Sequence, residues 1–293
     1  MGEPALDAAL CVQLRGVLDD YPALAASLPK EYPDGIASVE RMKTFEADRK
    51  KEFGHWHLLN LPFVLYMAGL EENADGRDLA LSLLRSLDSF SEQFGSVPGF
   101  DGVLKPLRDD EGLWQGDDPE FWSVVATAQT SLLLRSKNFT VKEFAKTLPA
   151  ETNKDADIFV ESPEGHGVYL DLVMKHRPKF TTVEEARAEL SLHADDKIGT
   201  KFGPVMKKQI PVMVLVVVVA RHLQLQILRE NPELLKTIVG PELDRRDGIA
   251  ACFHALVGNR GPDGRLSWHL AALEELSAAR PATDSETVSD GTA

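Results

Sequence analysis

Asp157, Asp171 and Lys175 lie in one segment, DADIFVESPEGHGVYLDLVMK, which runs from Asp155 to Lys175. It reads as two strands, Asp157 to Glu161 and Val168 to Lys175, joined by the polar, glycine-containing turn SPEGHG. Asp157 opens the first strand, and Asp171 lies within the second. Strand side chains alternate, so Asp171, Val173 and Lys175 project from a single face. Carboxylates on neighbouring strands are hard oxygen donors of the kind that divalent cations prefer. Such a cation can draw in a phosphate oxygen and acidify an attacking water, while a nearby lysine offsets developing charge. Cleavage of a phosphodiester, slowed by anion–anion repulsion and a poor leaving group, is the chemistry these residue types suit.

Competing chemistry is absent from the rest of the sequence. There is no nucleophile-elbow pattern, no P-loop and no GxGxxG after a strand. Cys11 and Cys252 are far apart, with no CxxC or Cys/His ligand spacing, which argues against structural zinc and for a reducing compartment. His55 and His57, two apart at a helix start, point in different directions and do not make a joint metal site. His166 sits in the SPEGHG turn, either solvated or assisting the acids. His254 and His269 fall on an apolar hairpin and read as packed residues.

Residues 1–115 form an expected all-helical N-terminal region, with apolar residues three and four apart in HWHLLNLPFVLYMAGL and DLALSLLRSLDSFSEQFG. The acidic loop from Asp109 to Glu120 marks a boundary. Residues 116–279 then make an α/β domain with a mixed central sheet flanked by helices. Its first helix spans Phe121 to Asn138, with Asp118 as N-cap and Pro119 in the first turn. FTVKEFAKTLP reads as extended or irregular. Thr182 to Glu185 offers a capping box for a helix reaching Phe202, where Gly203-Pro204 ends it. Val212 to Val219, β-branched without polar alternation, reads as a strand covered on both faces. A helix interrupted at Pro232 and a terminal hairpin follow, and residues 280–293 are expected to be disordered.

The chain has 293 residues, 43% hydrophobic and 27% charged, enough to bury a substantial core. Its N-terminus lacks a basic region followed by an apolar run, and its longest apolar run, Ile210 to Ala220, is too short to cross a bilayer. A cytoplasmic protein with no membrane partner is the expectation. The net charge of −14 argues against indiscriminate coating of nucleic acid. Between Lys175 and Lys208, however, eight Lys/Arg face five acids, either a local basic surface or a solvated helix face of mixed charge.

The order of an acid opening one strand, an acid and a lysine on the next, a long helix and an apolar strand resembles the core of the PD-(D/E)XK, or restriction-endonuclease-like, phosphodiesterases. The resemblance covers about residues 119 to 230 and implies a restriction-endonuclease-like fold and a metal-dependent nuclease. It implies Mg²⁺ or Mn²⁺ held by Asp157 and Asp171, and nucleic acid as partner. The family's lysine stands two residues after the second acid, where this chain has Val173. Lys175 lies one pleat too far, about 13 Å along the strand from Asp171 rather than about 7 Å. In some members the lysine has moved to the following helix, where Lys197 and Lys201 could serve. A glutamate on the preceding helix often assists metal binding, and here the nearest polar residue is Gln129. With these departures a second reading stands beside the first: a catalytically inactive nuclease-like module that binds nucleic acid or a protein partner.

Overall fold

The computed structural model describes residues 8–33, 60–70, 74–108, 119–149, 154–163, 165–175, 179–197, 201–206, 212–219, 222–231, 249–260 and 266–272. Among the described residues five helices come first: α1 (Ala8–Leu18), α2 (Pro22–Ala26), α3 (Leu61–Ala68), α4 (Ala74–Phe94) and α5 (Phe100–Arg108). Then follow α6 (Pro119–Ser136), β1 (Thr140–Thr147), β2 (Asp155–Glu161), β3 (Gly167–Lys175), α7 (Val183–Lys197), α8 (Gly203–Met206), β4 (Val212–Val219), α9 (His222–Glu230), β5 (Ile249–Arg260) and β6 (Leu266–Ala272). Described residues therefore form an α/β protein whose first part is helical, as the periodicity indicates.

The six strands make one mixed sheet in the order β1-β2-β3-β4-β5-β6. β1, β2 and β3 run antiparallel as a meander, β4 lies parallel to β3, β5 parallel to β4, and β6 returns antiparallel. The expected hairpin is thus present as β5 and β6, joined to the sheet through β4. The segment read as extended or irregular is the full strand β1. Its irregularity is real, because the register with β2 shifts between Val141 and Glu143 and Ala145 has φ +50°.

Each sheet face has its own cover. Ile158, Val160 and Leu170 point towards the helical region and join one hydrophobic core with Leu65, Leu84 and Trp122. That core is continuous across the expected boundary between residues 115 and 116. The opposite face carries buried Val173, Val212 and Val214, and α7 packs against β4 there. Val217 is also buried, in the first core, so β4 is covered on both sides as its unbroken apolar run implies. α4 lies against β6 as well as against α2, α3 and α6.

Local chemistry fixes the helices that brace the sheet. α2 has no side-chain cap of its own at Tyr21. Instead Asp88 Oδ1, on α4, accepts the amides of Ala23 and Leu24 at 2.9 Å each. A carboxylate at a helix N-terminus both satisfies open amides and meets the positive end of the dipole. α5 is anchored at its start. Gly99 has φ +83°, and a Cβ there would collide with the Phe144 carbonyl oxygen. The Phe144 amide donates to the Pro98 carbonyl at 2.8 Å. Around that contact Phe90 meets the Phe94, Phe100 and Phe144 rings at 5.4, 5.2 and 5.6 Å. α4, α5 and β1 are thereby locked together.

The capping box is present, displaced by one residue. Thr182 Oγ1 accepts the Glu185 amide at 3.2 Å, while Glu185 Oε2 accepts the Thr181 amide at 2.7 Å. These amide and hydroxyl bonds from Thr181 hold the Glu185 carboxyl below its usual range. The described part of α7 ends at Lys197; Lys201 and Phe202 form a π-helical turn that runs straight into α8, so Gly203-Pro204 lies inside a helical run and does not end it.

Candidate active site

Alternation assigns the acids to one face of the sheet. On β2 the buried residues are Ala156, Ile158 and Val160, so Asp157 and Phe159 point the other way. Phe159 pairs across the ladder with Tyr169, and their rings lie 4.7 Å apart. Asp171, two residues from Tyr169, continues the same face.

The β2–β3 ladder pairs Glu161 with Gly167 through to Ile158 with Leu170. Just beyond its end, Asp157 Oδ2 accepts the Leu172 amide at 2.5 Å. A side-chain carboxylate there takes the place of a ladder bond, which holds Asp157 next to Asp171 where the strands part.

Asp171 is fully buried, and its Oδ1 is ion-paired with Lys201 Nζ. The Lys201 side chain is 13% exposed. Its backbone is pinned beside Phe202, which is fully buried, and two residues before α8. A buried carboxylate without a cation would carry a large desolvation penalty, and Lys201 offsets it. Two acids from adjoining strands and a lysine from the segment after α7 therefore meet at one point.

Their electrostatics are asymmetric. The Asp157 carboxyl is pushed up to about 7 from 3.8, first by burial and then by the neighbouring Asp171 carboxylate. Lys201 and the Leu172 amide pull it down, and a bond to Asp171 favours the protonated form. Near neutral pH the Asp157 carboxyl is therefore partly protonated, while Lys201 is ion-paired with Asp171. Displacing that proton with a divalent cation would relieve the same repulsion.

Two hard carboxylates fit Mg²⁺ or Mn²⁺, which commonly take one or two protein carboxylates and complete their shell with water and substrate phosphate. Among the described residues no cluster of three or more His, Cys, Asp or Glu could hold a metal ion. The fit is thus to a two-carboxylate site, not to a closed protein cage.

The other candidates are placed as follows. Val173, two residues after Asp171 on the same face of β3, is buried. Lys175 is the last residue of β3, on the Asp171 face and paired in register with Val218. Lys197 ends α7. The side chains of Lys175 and Lys197 lie outside the described residues. Gln129 is engaged elsewhere, its Nε2 donating to Ser86 Oγ at 2.7 Å and so tying α6 to α4. His166 is exposed in its turn, its amide donating to Ser162 Oγ at 3.3 Å. His55 and His57 lie outside the described residues, as do residues 280–293 and the side chains of His254 and His269.

One element leaves no mark in the sequence. A cavity of about 550 Å³ reaches Asp157 from the helical side. Leu172 and Met174 of β3 line it, with Val124 and Thr127 of α6 and Lys105 of α5. No periodicity signals a space enclosed between a helix of the first half and the sheet of the second. No helix of the described residues is long and apolar enough to cross a membrane. No protein-family model, curated protein or solved structure matches the chain.

Proposed function

We propose that the protein is a metal-dependent phosphodiesterase of nucleic acid with a restriction-endonuclease-like core. The observation that carries this reading is the convergence of Asp157, Asp171 and Lys201 from β2, β3 and the segment preceding α8. The element order α6-β1-β2-β3-α7-β4 supports it, with acids on two antiparallel strands and an apolar strand parallel to the second.

In this reading Asp157 and Asp171 hold Mg²⁺ or Mn²⁺, which supplies a Lewis acid for the phosphate and a water of lowered pKa. Lys201 does what the residue at Val173 cannot. Its ammonium, held on Asp171, stands where negative charge builds on the phosphoryl oxygens. Asp157 would hold the metal as a carboxylate, its proton passing to water, and the Leu172 amide holds that carboxyl in place. Burial around Asp171 keeps bulk water away and strengthens each of these interactions.

Calorimetric titration of Mg²⁺ and Mn²⁺ into the wild type and an Asp157→Asn/Asp171→Asn double variant tests the metal site. A mixed oligonucleotide pool tests the activity. Binding that vanishes in the variant, with cleavage that vanishes alongside it, is the expected result. A wild type that binds no metal at millimolar concentration even with oligonucleotide present would sink the proposal.

The buried Val173 in the lysine position favours a second reading, a nuclease-like module that binds nucleic acid or a protein partner without cutting. Oligonucleotide binding without cleavage, unaffected by Lys201→Arg, would select it.

A further inference from the structure

The acid pair does not stand alone on its face of the sheet. Phe159 lies opposite Tyr169 across the β2–β3 ladder, with ring centroids 4.7 Å apart and planes tilted by 38°. Two residues separate Phe159 from Asp157 and Tyr169 from Asp171. Rings and acids therefore share one face and lie about 7 Å apart along the strands. Their burial differs: Asp171 is fully buried, whereas Phe159 and Tyr169 are half-buried.

Cross-strand packing accounts for the contact between the rings. It does not account for the room cleared beside them. A Cβ at Gly167, on the same face, would come within 2.9 Å of Phe159 Cζ and 3.0 Å of Cε2. The Phe159 ring thus leans over bare backbone, away from Asp171, in space that any other residue would fill. The border is charged but balanced. Lys142 pairs with Glu161 at 3.3 Å, and Lys146 with Glu143 at 2.5 Å. Lys146 also stands near enough to Tyr169 for the two to interact electrostatically. Two lysines matched by two glutamates offer no net charge to a phosphate. Two aromatic rings with an open side suit the flat, neutral part of a nucleotide instead.

We infer that Phe159 and Tyr169 form a stacking platform for the base of the nucleotide whose phosphate is held at Asp157 and Asp171. This rests on the phosphodiesterase reading for the phosphate's place, while the base's place on the rings is tested by itself. Every base has a π-face, so the platform sets which phosphate reaches the acids without reading the sequence. The faces of a paired base are covered by its neighbours in the duplex, and the rings therefore take an unpaired one.

The test compares the wild type with Phe159→Leu, Tyr169→Leu, Tyr169→Phe and Gly167→Ala. Binding of a mixed-sequence single strand, and of a duplex closed by hairpins at both ends, is measured in Ca²⁺, which takes the same oxygen ligands. Mg²⁺ calorimetry and thermal unfolding are the controls. We expect single-strand affinity to fall about fivefold or more in each leucine variant. It should return in Tyr169→Phe and fall in Gly167→Ala, whose methyl displaces the Phe159 ring. The salt dependence of binding keeps its slope, because no phosphate contact is lost, and Mg²⁺ and duplex binding do not change. In the wild type, a 2-aminopurine base moved along the strand should be quenched on binding at one position. Leucine variants that bind single strands as the wild type does overturn the inference, as does a wild type that binds no strand or quenches no position. Loss of Mg²⁺ binding together with strand affinity in the leucine variants would mark a purely structural pair and overturns it equally. Failure of the phosphodiesterase reading alone looks different: strands bound through the rings, with no Mg²⁺ binding and no cleavage.

Discussion

At Asp157, burial and the Asp171 carboxylate hold the pKa at about 7, so this acid makes folding harder as it ionises. The folded pKa lies above the unfolded one. The stability it contributes is fully present below about pH 4 and is lost as pH rises through 7. Asn at this position keeps an acceptor for the Leu172 amide and never ionises. Asp157→Asn should therefore match the wild type near pH 4 and exceed it at pH 8 by a few kcal/mol, on the order of 1.4 per pKa unit, in denaturant titrations at each pH. Lys201 has the opposite sense. Removing it as Lys201→Ala leaves Asp171 buried without its cation, at a cost of about 3–5 kcal/mol. Lys201→Arg should retain most of that stability, because the charge remains; on the proposed phosphodiesterase reading it should lose cleavage, because a planar guanidinium cannot reproduce the ammonium's position. The acids could be read from the sequence because two strands and a short turn fix their relation. Lys201 could be named only as one of three lysines, since thirty residues separate it from Asp171 and no local period carries such a contact.

Among elements, the braces outside the sheet are open to direct measurement. Asp88 caps α2 from α4, and Asp88→Ala should cost about 1–2 kcal/mol by chemical denaturation. Phe144→Ala, which empties the contact of α4, α5 and β1, should cost about 3–5 kcal/mol. β1 shows why one strand was missed. Its buried residues, Val141 and Phe144, stand three apart because the register shifts between them, so the alternation that marks a strand is broken where it matters. β2 and β4 lack such a shift, and their patterns, alternating and fully apolar, translate directly into one buried face and two. α7 was legible through Thr182 and Glu185. Its end was not: Gly203-Pro204, read as its stop, instead lies inside a helical run from Lys201 to Met206.

On the scale of the whole molecule, the helical region and the sheet share one hydrophobic core, and α5 and α6 wall the cavity that leads to Asp157. Cutting the chain at residue 116 would strip Ile158, Val160 and Leu170 of their cover. The described architecture therefore predicts a single cooperative thermal transition for the full chain and an aggregating product for residues 116–293, measurable by calorimetry and light scattering. Composition marked the two halves by their textures, but it held no sign that they would be inseparable, because shared burial is a property of packing and not of period.

The packing of α4 against β6 also sets a timetable. Phe94 leaves the ribosome well before Leu266 is made. At about 5–20 residues per second the helix waits roughly 10–35 s for the strand that completes its surroundings. Throughout that interval a long amphipathic helix has part of its apolar stripe in water. A newborn chain of this protein is thus a natural client for whatever shields nascent hydrophobic surface, and a ribosome stalled before residue 266 would display a helix with no strand to receive it.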